Sequence, residues 1–96
     1  MASSKEYLDY CLEQLRLLND ITFKRMMGEF LLYYKGKLFG GIYDDRLLVK
    51  KTETNKSYNM EVETPYDGAK NMYLVSDIDD LNLLKEIVLD TVKGLK

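Results

Sequence analysis

Few side chains in this 96-residue sequence are of the types that carry out catalysis. There is no histidine, and Cys11 is the single cysteine. Without histidine, the usual zinc ligand sets, imidazole acid–base catalysis and the Ser-His-Asp or Cys-His nucleophile arrangements are excluded. A lone cysteine also excludes an intramolecular disulfide, and Cys11 falls on an apolar helical stripe, where a buried core residue is expected. The composition therefore favours a non-enzymatic function.

Two groups of aspartates come nearest to a metal site or a catalytic carboxylate pair. Asp77, Asp79 and Asp80 precede an apolar helical pattern, where carboxylates cap a helix and suit its dipole. They lack the spread of oxygen ligands over about twelve residues that a calcium-binding loop requires. Asp44 and Asp45 are adjacent, which is typical of a turn. We therefore expect no metal and no cofactor.

Basic and aromatic residues offer a different chemistry, the recognition of phosphates or acidic surfaces. The glycines match neither GxxxxGK[ST] nor GxGxxG, so a phosphate-binding loop is not indicated. Cations do alternate with tyrosines in the middle of the chain, as in proteins that stack and neutralise nucleic acid. A pI near 5.1 argues against that function, because domains that depend on phosphate contacts are usually basic.

The overall net charge of −2 hides an asymmetry along the chain. The first 51 residues carry nine lysines and arginines against seven acidic residues, whereas the remainder carries five against nine. A basic sheet region could face an acidic C-terminal region or a partner, although such differences commonly describe solvated faces. Nucleic-acid binding through the basic half is kept as the alternative function.

The residues expected to form a binding surface combine tyrosines with charged groups. Tyrosine and arginine are frequent anchors at protein interfaces, and the expected surface is a sheet face or edge. Arg25 and Glu29, four residues apart, are also expected to form an ion pair that fixes a bulge around Gly28. The candidate binding residues are Arg25, Glu29, Tyr33, Tyr43, Arg46, Lys50 and Lys70.

The elements that would position these residues are read most clearly between Arg25 and Lys50. Lys35-Gly36 and Asp44-Asp45 are two-residue breaks between apolar runs, which predicts a meander of three antiparallel strands. Gly40-Gly41 lies inside one of these runs. Paired glycines in a strand indicate a surface kept free of side chains or, equally, tight packing of a helix across the sheet.

Helices are predicted on both sides of this meander. Ser3 and Glu6 match a capping box, and leucines at helical spacing extend the first helix from about Ser4 to Leu18. A second apolar stripe from Leu81 to Leu95 predicts a last helix capped by Ser76 or Asp77.

The segment between the meander and the last helix gives weaker signals. Tyr58 and Val62 are expected to form the inner edge of a short helix between Thr52 and Thr64. The run from Pro65 to Gly68 is a turn, and the run from Met72 to Val75 predicts a further strand.

The run RMMGEFLLYYKGKLFGGIYDDRLLVK resembles the core motif of the TfoX/Sxy family N-terminal domain. The resemblance implies an α+β fold with a curved antiparallel sheet, flanking helices and the order α-β-β-β-α-β-β-α, similar to the secretion-chaperone-like architecture. Full-length members carry a second domain and are linked to competence regulation, and this chain is expected to correspond to the N-terminal domain standing alone. The matching residues are Arg25, Met26, Gly28, Glu29, Gly36, Lys37, Phe39, Gly40 and Lys50, with Pro65-Tyr66 and Lys70 to Met72 later in the chain.

Taken together, residues 1–96 are expected to form one domain of this type. We expect a cytoplasmic, non-enzymatic regulatory or interaction module, because no apolar run reaches the ~20 residues of a membrane span and no secretory leader is recognisable. A protein partner is expected, and self-association as a homodimer is plausible because a small open sheet gains by covering an edge.

Overall fold

The computed structural model describes residues 3–95 as an antiparallel six-stranded sheet with two helices packed on one of its faces, which confirms the α+β class. The strands lie side by side in the order β1-β2-β3-β4-β6-β5, so β1 and β5 form the edges. The elements are α1 (Lys5–Gln14), β1 (Ile21–Met26), β2 (Glu29–Tyr34), β3 (Lys37–Ile42), β4 (Leu47–Val49), β5 (Glu61–Glu63), β6 (Met72–Leu74) and α2 (Leu81–Lys93), with a 3-10 turn at Lys56–Tyr58.

Three consecutive hairpins with two-residue loops connect β1 to β4. Both residues of each loop have positive φ, at 52° and 85° for Met27-Gly28, 50° and 83° for Lys35-Gly36, and 54° and 55° for Asp44-Asp45. Paired left-handed residues give the backbone twist that two neighbouring strands require. The two predicted turns are confirmed. Gly28 belongs to a third hairpin loop and not to a bulge, so the meander gains β1 as a fourth strand.

The middle of the chain differs from the expected order. Four strands precede it, and a single 3-10 turn, Lys56–Tyr58, replaces the expected helix. The side chain of Asn55 accepts a hydrogen bond from the backbone N–H of Thr52 at 3.0 Å, and Asn59 adopts a left-handed conformation that ends the turn. Such local bonds compete with helix formation. Val62 lies in β5 and is 49% exposed, so its expected pairing with Tyr58 along a helix was wrong.

Both helices begin at a different cap from the one expected. Ser4, not Ser3, caps α1, and its hydroxyl accepts a hydrogen bond from the N–H of Tyr7 at 3.1 Å. The helix ends at Gln14, and the chain continues to Leu18 in turns. Asp80, not Ser76 or Asp77, caps α2 by accepting from the N–H of Leu83 at 3.0 Å.

The two faces of the sheet carry cores of different size. The helix-covered face holds the main core, in which Phe39 and Leu32 of the sheet meet Leu8 of α1 and Val88 of α2. Cys11 is also fully buried there, as predicted, and burial raises the pKa of its thiol to about 12. The opposite face, called here the open face, has a smaller cluster. Its buried members are Tyr43, Leu48 and Met72, with Leu31 and Leu74 packed beside them.

Candidate functional site

A groove of about 890 Å³ lies on the open face between the sheet and residues 64–71, a segment called here the strap. The strap connects β5 to β6 and brings residues distant in sequence beside the ends of β3 and β4. The groove has apolar residues, two tyrosines and four polar or cationic side chains. They are Leu38, Gly40, Pro65, Ala69 and Met72, then Tyr43 and Tyr66, then Lys50, Lys51, Lys70 and Asn71.

The groove is cationic. Lys50, Lys51 and Lys70 line it, and no aspartate or glutamate does. Within residues 3–95, none of these three ammonium groups lies within salt-bridge distance of a carboxylate. Positive charges gathered in a concave, partly apolar surface attract anions more strongly than the same charges spread over a convex one. The arrangement is suited to binding an anionic group.

Gly40 keeps the floor of the groove close to the neighbouring strand. Leu32 of β2 pairs with Gly40 and Tyr33 pairs with Leu38, so β3 contains a bulge between these positions. A Cβ atom on Gly40 would lie 2.1 Å from the carbonyl oxygen of Leu48, which leaves no room for a side chain. The atoms that a side chain at Gly40 would meet therefore belong to the backbone of β4.

Tyr43 and Tyr66 form the aromatic wall of the groove. Their ring centroids are 6.1 Å apart, and the rings are tilted by 51°. Tyr43 is buried, and this burial is the main cause that raises the pKa of its hydroxyl above the ordinary value for tyrosine. Tyr66 is 55% exposed and presents its ring to solvent. One tyrosine thus packs as part of the wall, and the other is free to contact a ligand.

Arg46 holds the strap in position. Its guanidinium donates to the carboxylate of Glu63 at 2.7 Å and to the carbonyl oxygen of Thr64 at 3.3 Å. The Nε atom donates to the carbonyl oxygen of Tyr43 at 3.1 Å, so one side chain ties the β3–β4 loop to the start of the strap. Arg46 acts on the groove by positioning its two walls, because its donors are engaged by these protein groups.

Asn55 fixes the backbone that carries the first two lysines. It is fully buried, and its amide donates to the carbonyl oxygen of Lys50 and to the hydroxyl of Thr91, each at 2.8 Å. Thr91 donates in turn to the carbonyl oxygen of Ile87 in α2 at 2.7 Å. A buried and satisfied network of this kind holds a single geometry. The lysine end of the groove is therefore anchored to the last helix.

The expected binding residues fall into two groups in the structure. Tyr43, Lys50 and Lys70 line the groove, and Arg46 supports it. Arg25, Glu29 and Tyr33 lie outside it. Lys51, Tyr66 and Asn71 also line the groove but were not among the expected residues, because strap and loop positions have no periodicity that assigns them to a face. The turn run from Pro65 to Gly68 and the family resemblance at Pro65-Tyr66 and at Lys70 to Met72 were the signals available for this segment.

The expected Arg25–Glu29 ion pair does not form. The guanidinium of Arg25 lies 5.5 Å from the ring centre of Phe30. Glu29 instead accepts from the hydroxyl of Ser3 at 2.6 Å and from the backbone N–H of Asp44 at 3.2 Å. Because Met27 and Gly28 form a tight hairpin loop, Glu29 faces the N-terminal segment and fastens it to the β3–β4 loop.

The C-terminal aspartates have structural partners. Asp80 caps α2, and Asp79 accepts a hydrogen bond from the hydroxyl of Tyr10 in α1. In the part of the chain that the structure describes, no group of three or more cysteine, aspartate or glutamate side chains is placed to hold a metal ion. No helix in this part is long and apolar enough to cross a membrane.

Comparisons with known proteins agree with the fold. A family model described as the TfoX N-terminal domain matches residues 13–91, which include both helices in part and the whole sheet. A relative from Spirochaeta aurantia, named "Uncharacterized 12.7 kDa protein in trpE 5'region", is 31% identical over 80 residues. The match covers 81% of this chain and 70% of the relative.

Proposed function

Because this chain belongs to the TfoX N-terminal domain family, we propose that it is a non-enzymatic regulatory module that binds an acidic segment of a partner protein in the cytoplasm. Family membership supports a module of the competence-regulator type. The observation that carries the binding proposal is the groove itself, whose three lysines have no carboxylate within salt-bridge distance among residues 3–95. The ammonium of Lys51 lies 5.7 Å from the ring centre of Tyr73, and Lys50 and Lys70 provide the remaining charge. Those charges find their counterpart in a partner.

The floor and wall of the groove favour a peptide over a simple anion. Leu38 and Met72 provide apolar surface, and Tyr66 provides a half-exposed ring. Binding pockets of this mixed type bury an apolar anchor while a few polar groups fix its orientation. A segment that carries one aromatic or aliphatic side chain between acidic residues matches both parts of the groove.

The surroundings of the groove argue against a nucleic acid as the ligand. An extended phosphate backbone gains affinity from a continuous track of cations. Here the strap itself carries the exposed Asp67, and the neighbouring β5 carries the exposed Glu61. A polyanion continuing beyond the three lysines would meet these carboxylates, whereas a short acidic peptide would end within the groove.

The test is a fluorescence-anisotropy titration with a labelled peptide of aspartates and glutamates around a single phenylalanine. Lys50→Glu and Lys70→Glu are each expected to weaken binding by about tenfold or more, because each replaces an attraction with a repulsion. Lys85→Glu is the matched control, since Lys85 is exposed like Lys70 but lies on α2. An equal loss in all three variants would show nonspecific attraction and contradict the proposal.

A second titration separates the peptide from the alternative ligand. A labelled single-stranded oligonucleotide is titrated at increasing salt concentrations beside the peptide. The proposal expects peptide binding that is competed poorly by the oligonucleotide. Tighter oligonucleotide binding, with log–log salt dependence near the roughly −2 expected for three neutralised phosphates, would instead support the nucleic-acid-associated regulator.

A further inference from the structure

The two edges of the sheet are unlike each other. Within residues 3–95, β1 pairs only with β2, and β5 pairs only with β6. The edge strand β1 is six residues long, and its exposed residues include the cations Lys24 and Arg25. The edge strand β5 is three residues long and contains Glu61 and Glu63. One edge is therefore basic and the other acidic.

The registers of the five strand pairs connect these edges residue by residue. One row on the open face begins with a cation and ends with an anion, running Lys24, Leu31, Gly41, Leu48, Leu74 and Glu61. The adjacent row begins and ends with exposed apolar residues, running Phe23, Leu32, Gly40, Val49, Tyr73 and Val62. Phe23 is 38% exposed and Val62 is 49% exposed.

From these registers we propose that β5 of a second copy of this chain pairs with β1, continuing the sheet from one molecule into the next. All neighbouring strands are antiparallel, so β5 runs opposite to β1 after five steps across the sheet. A copy shifted sideways thus presents β5 antiparallel to β1 with both open faces on the same side. Lys24 then lies opposite Glu61 of the second copy, and Phe23 lies opposite Val62.

The charges select this pairing over the pairing of like edges. Two β1 strands side by side would gather two lysines and two arginines along one seam. Two β5 strands would bring two Glu61 side chains together, since Glu63 is already paired with Arg46. Like charges that face each other across strands are unfavourable, whereas opposite charges and apolar pairs are favourable. Natural edge strands often carry charge to prevent association. Here the opposite signs on the two edges prevent only the symmetric pairings.

The geometry makes this association open-ended and weak. Joining two different edges is a head-to-tail contact, which leaves one free edge of each kind and so allows further copies to add. Because β5 has only three residues, the contact is smaller than a standard stable interface, and association is expected only at high protein concentration.

Sedimentation-velocity measurements from dilute to millimolar protein test the proposal. The average mass is expected to rise continuously without a limit at the dimer. Lys24→Glu and Glu61→Lys should each weaken association by about fivefold, since a cross-strand attraction becomes a repulsion. Both positions are exposed, so circular dichroism should show folded variants. Lys85→Glu on α2 is the control and should leave association unchanged.

The decisive measurement combines the two reversals. A chain carrying both Lys24→Glu and Glu61→Lys, or an equimolar mixture of the single variants, should recover association to within about twofold of the original, because each contact regains opposite charges. Failure of this recovery overturns the proposal. A monomer at every concentration, or a closed dimer that is insensitive to Glu61→Lys, also overturns it, the latter in favour of pairing between two β1 strands.

Discussion

The helix-covered face and the open face of the same sheet differ in the residues that pack against them. On the first, Phe39, Leu32 and Val49 pack in one apolar core with residues from both helices, beside the buried Asn55–Thr91 hydrogen bond. On the second, the small cluster around Tyr43, Leu48 and Met72 is flanked by lysines that have no salt bridge to a carboxylate in the described part of the chain. The difference teaches that β3 and β4 contribute to stability on one side and, under the proposed function, to recognition on the other, through alternate residues of the same strands.

The largest expected effect is the loss of the bulky side chain at the centre of the helix-covered face. Phe39→Ala should lower the free energy of unfolding by about 3 to 5 kcal/mol, because Phe39 is fully buried and its removal leaves a cavity. Urea denaturation followed by circular dichroism measures the change. Tyr66→Ala on the open face is the comparison and should cost less than about 1 kcal/mol, since Tyr66 is 55% exposed. Equal losses would contradict the division between the faces.

A medium effect is expected where Tyr58 contacts the last helix. Its hydroxyl donates to the carboxylate of Asp90 at 2.5 Å, and this hydrogen bond is the main cause that raises the pKa of Tyr58 to about 12. The folded state therefore holds this proton more tightly than the unfolded chain, whose tyrosine titrates near 10. The associated stability is complete below pH 10 and is lost as the pH rises to about 12.

Tyr58→Phe tests that contact. The substitution should cost about 1 to 2 kcal/mol at pH 7, because a hydrogen bond to a charged group is lost. It should also flatten the fall in unfolding free energy between pH 10 and about 12, which is measured by urea denaturation at several pH values. An identical slope in the variant would show that other groups govern the alkaline loss, among them Tyr7 and Tyr43, whose pKa values burial also raises.

The smallest effect on stability is expected within the groove. Lys70→Gln should change the free energy of unfolding by no more than about 0.5 kcal/mol, because Lys70 is exposed and has no carboxylate partner among residues 3–95. The same variant should weaken binding of the acidic peptide. Thermal denaturation and the anisotropy titration together measure both quantities. A marked loss of stability would mean that Lys70 supports the fold, which would contradict the division of roles between the two faces.

Features that depend on neighbouring residues were predicted well from the sequence. Lys35-Gly36 and Asp44-Asp45 form hairpins because their residue types tolerate positive φ, and this property is local. The two helices follow from apolar residues at helical spacing. The strand β1 was missed as a separate element because its alternation of apolar and polar types is brief, running from Ile21 to Lys24 before the two adjacent cations Lys24 and Arg25 break it.

Features that depend on distant residues could not be predicted in this way. The groove exists because β6 pairs with β4 and thereby brings the strap beside Lys50. Nothing in the local sequence specifies that pairing. Asn55 has the same character, since its role depends on Thr91, 36 positions further along the chain. The candidate site therefore depends on pairing between distant residues, whereas the helices and hairpins depend on local sequence signals.

The chain of three tight hairpins also bears on how the molecule folds. Strands β1 to β4 complete their mutual pairing within residues 21–49, and short-range contacts of this kind form quickly. The apolar side of this early meander, with Phe39 at its centre, remains exposed to solvent until α2 packs against it. During that interval the sheet has an exposed hydrophobic surface, and slower packing of the helix would increase the tendency of the protein to aggregate.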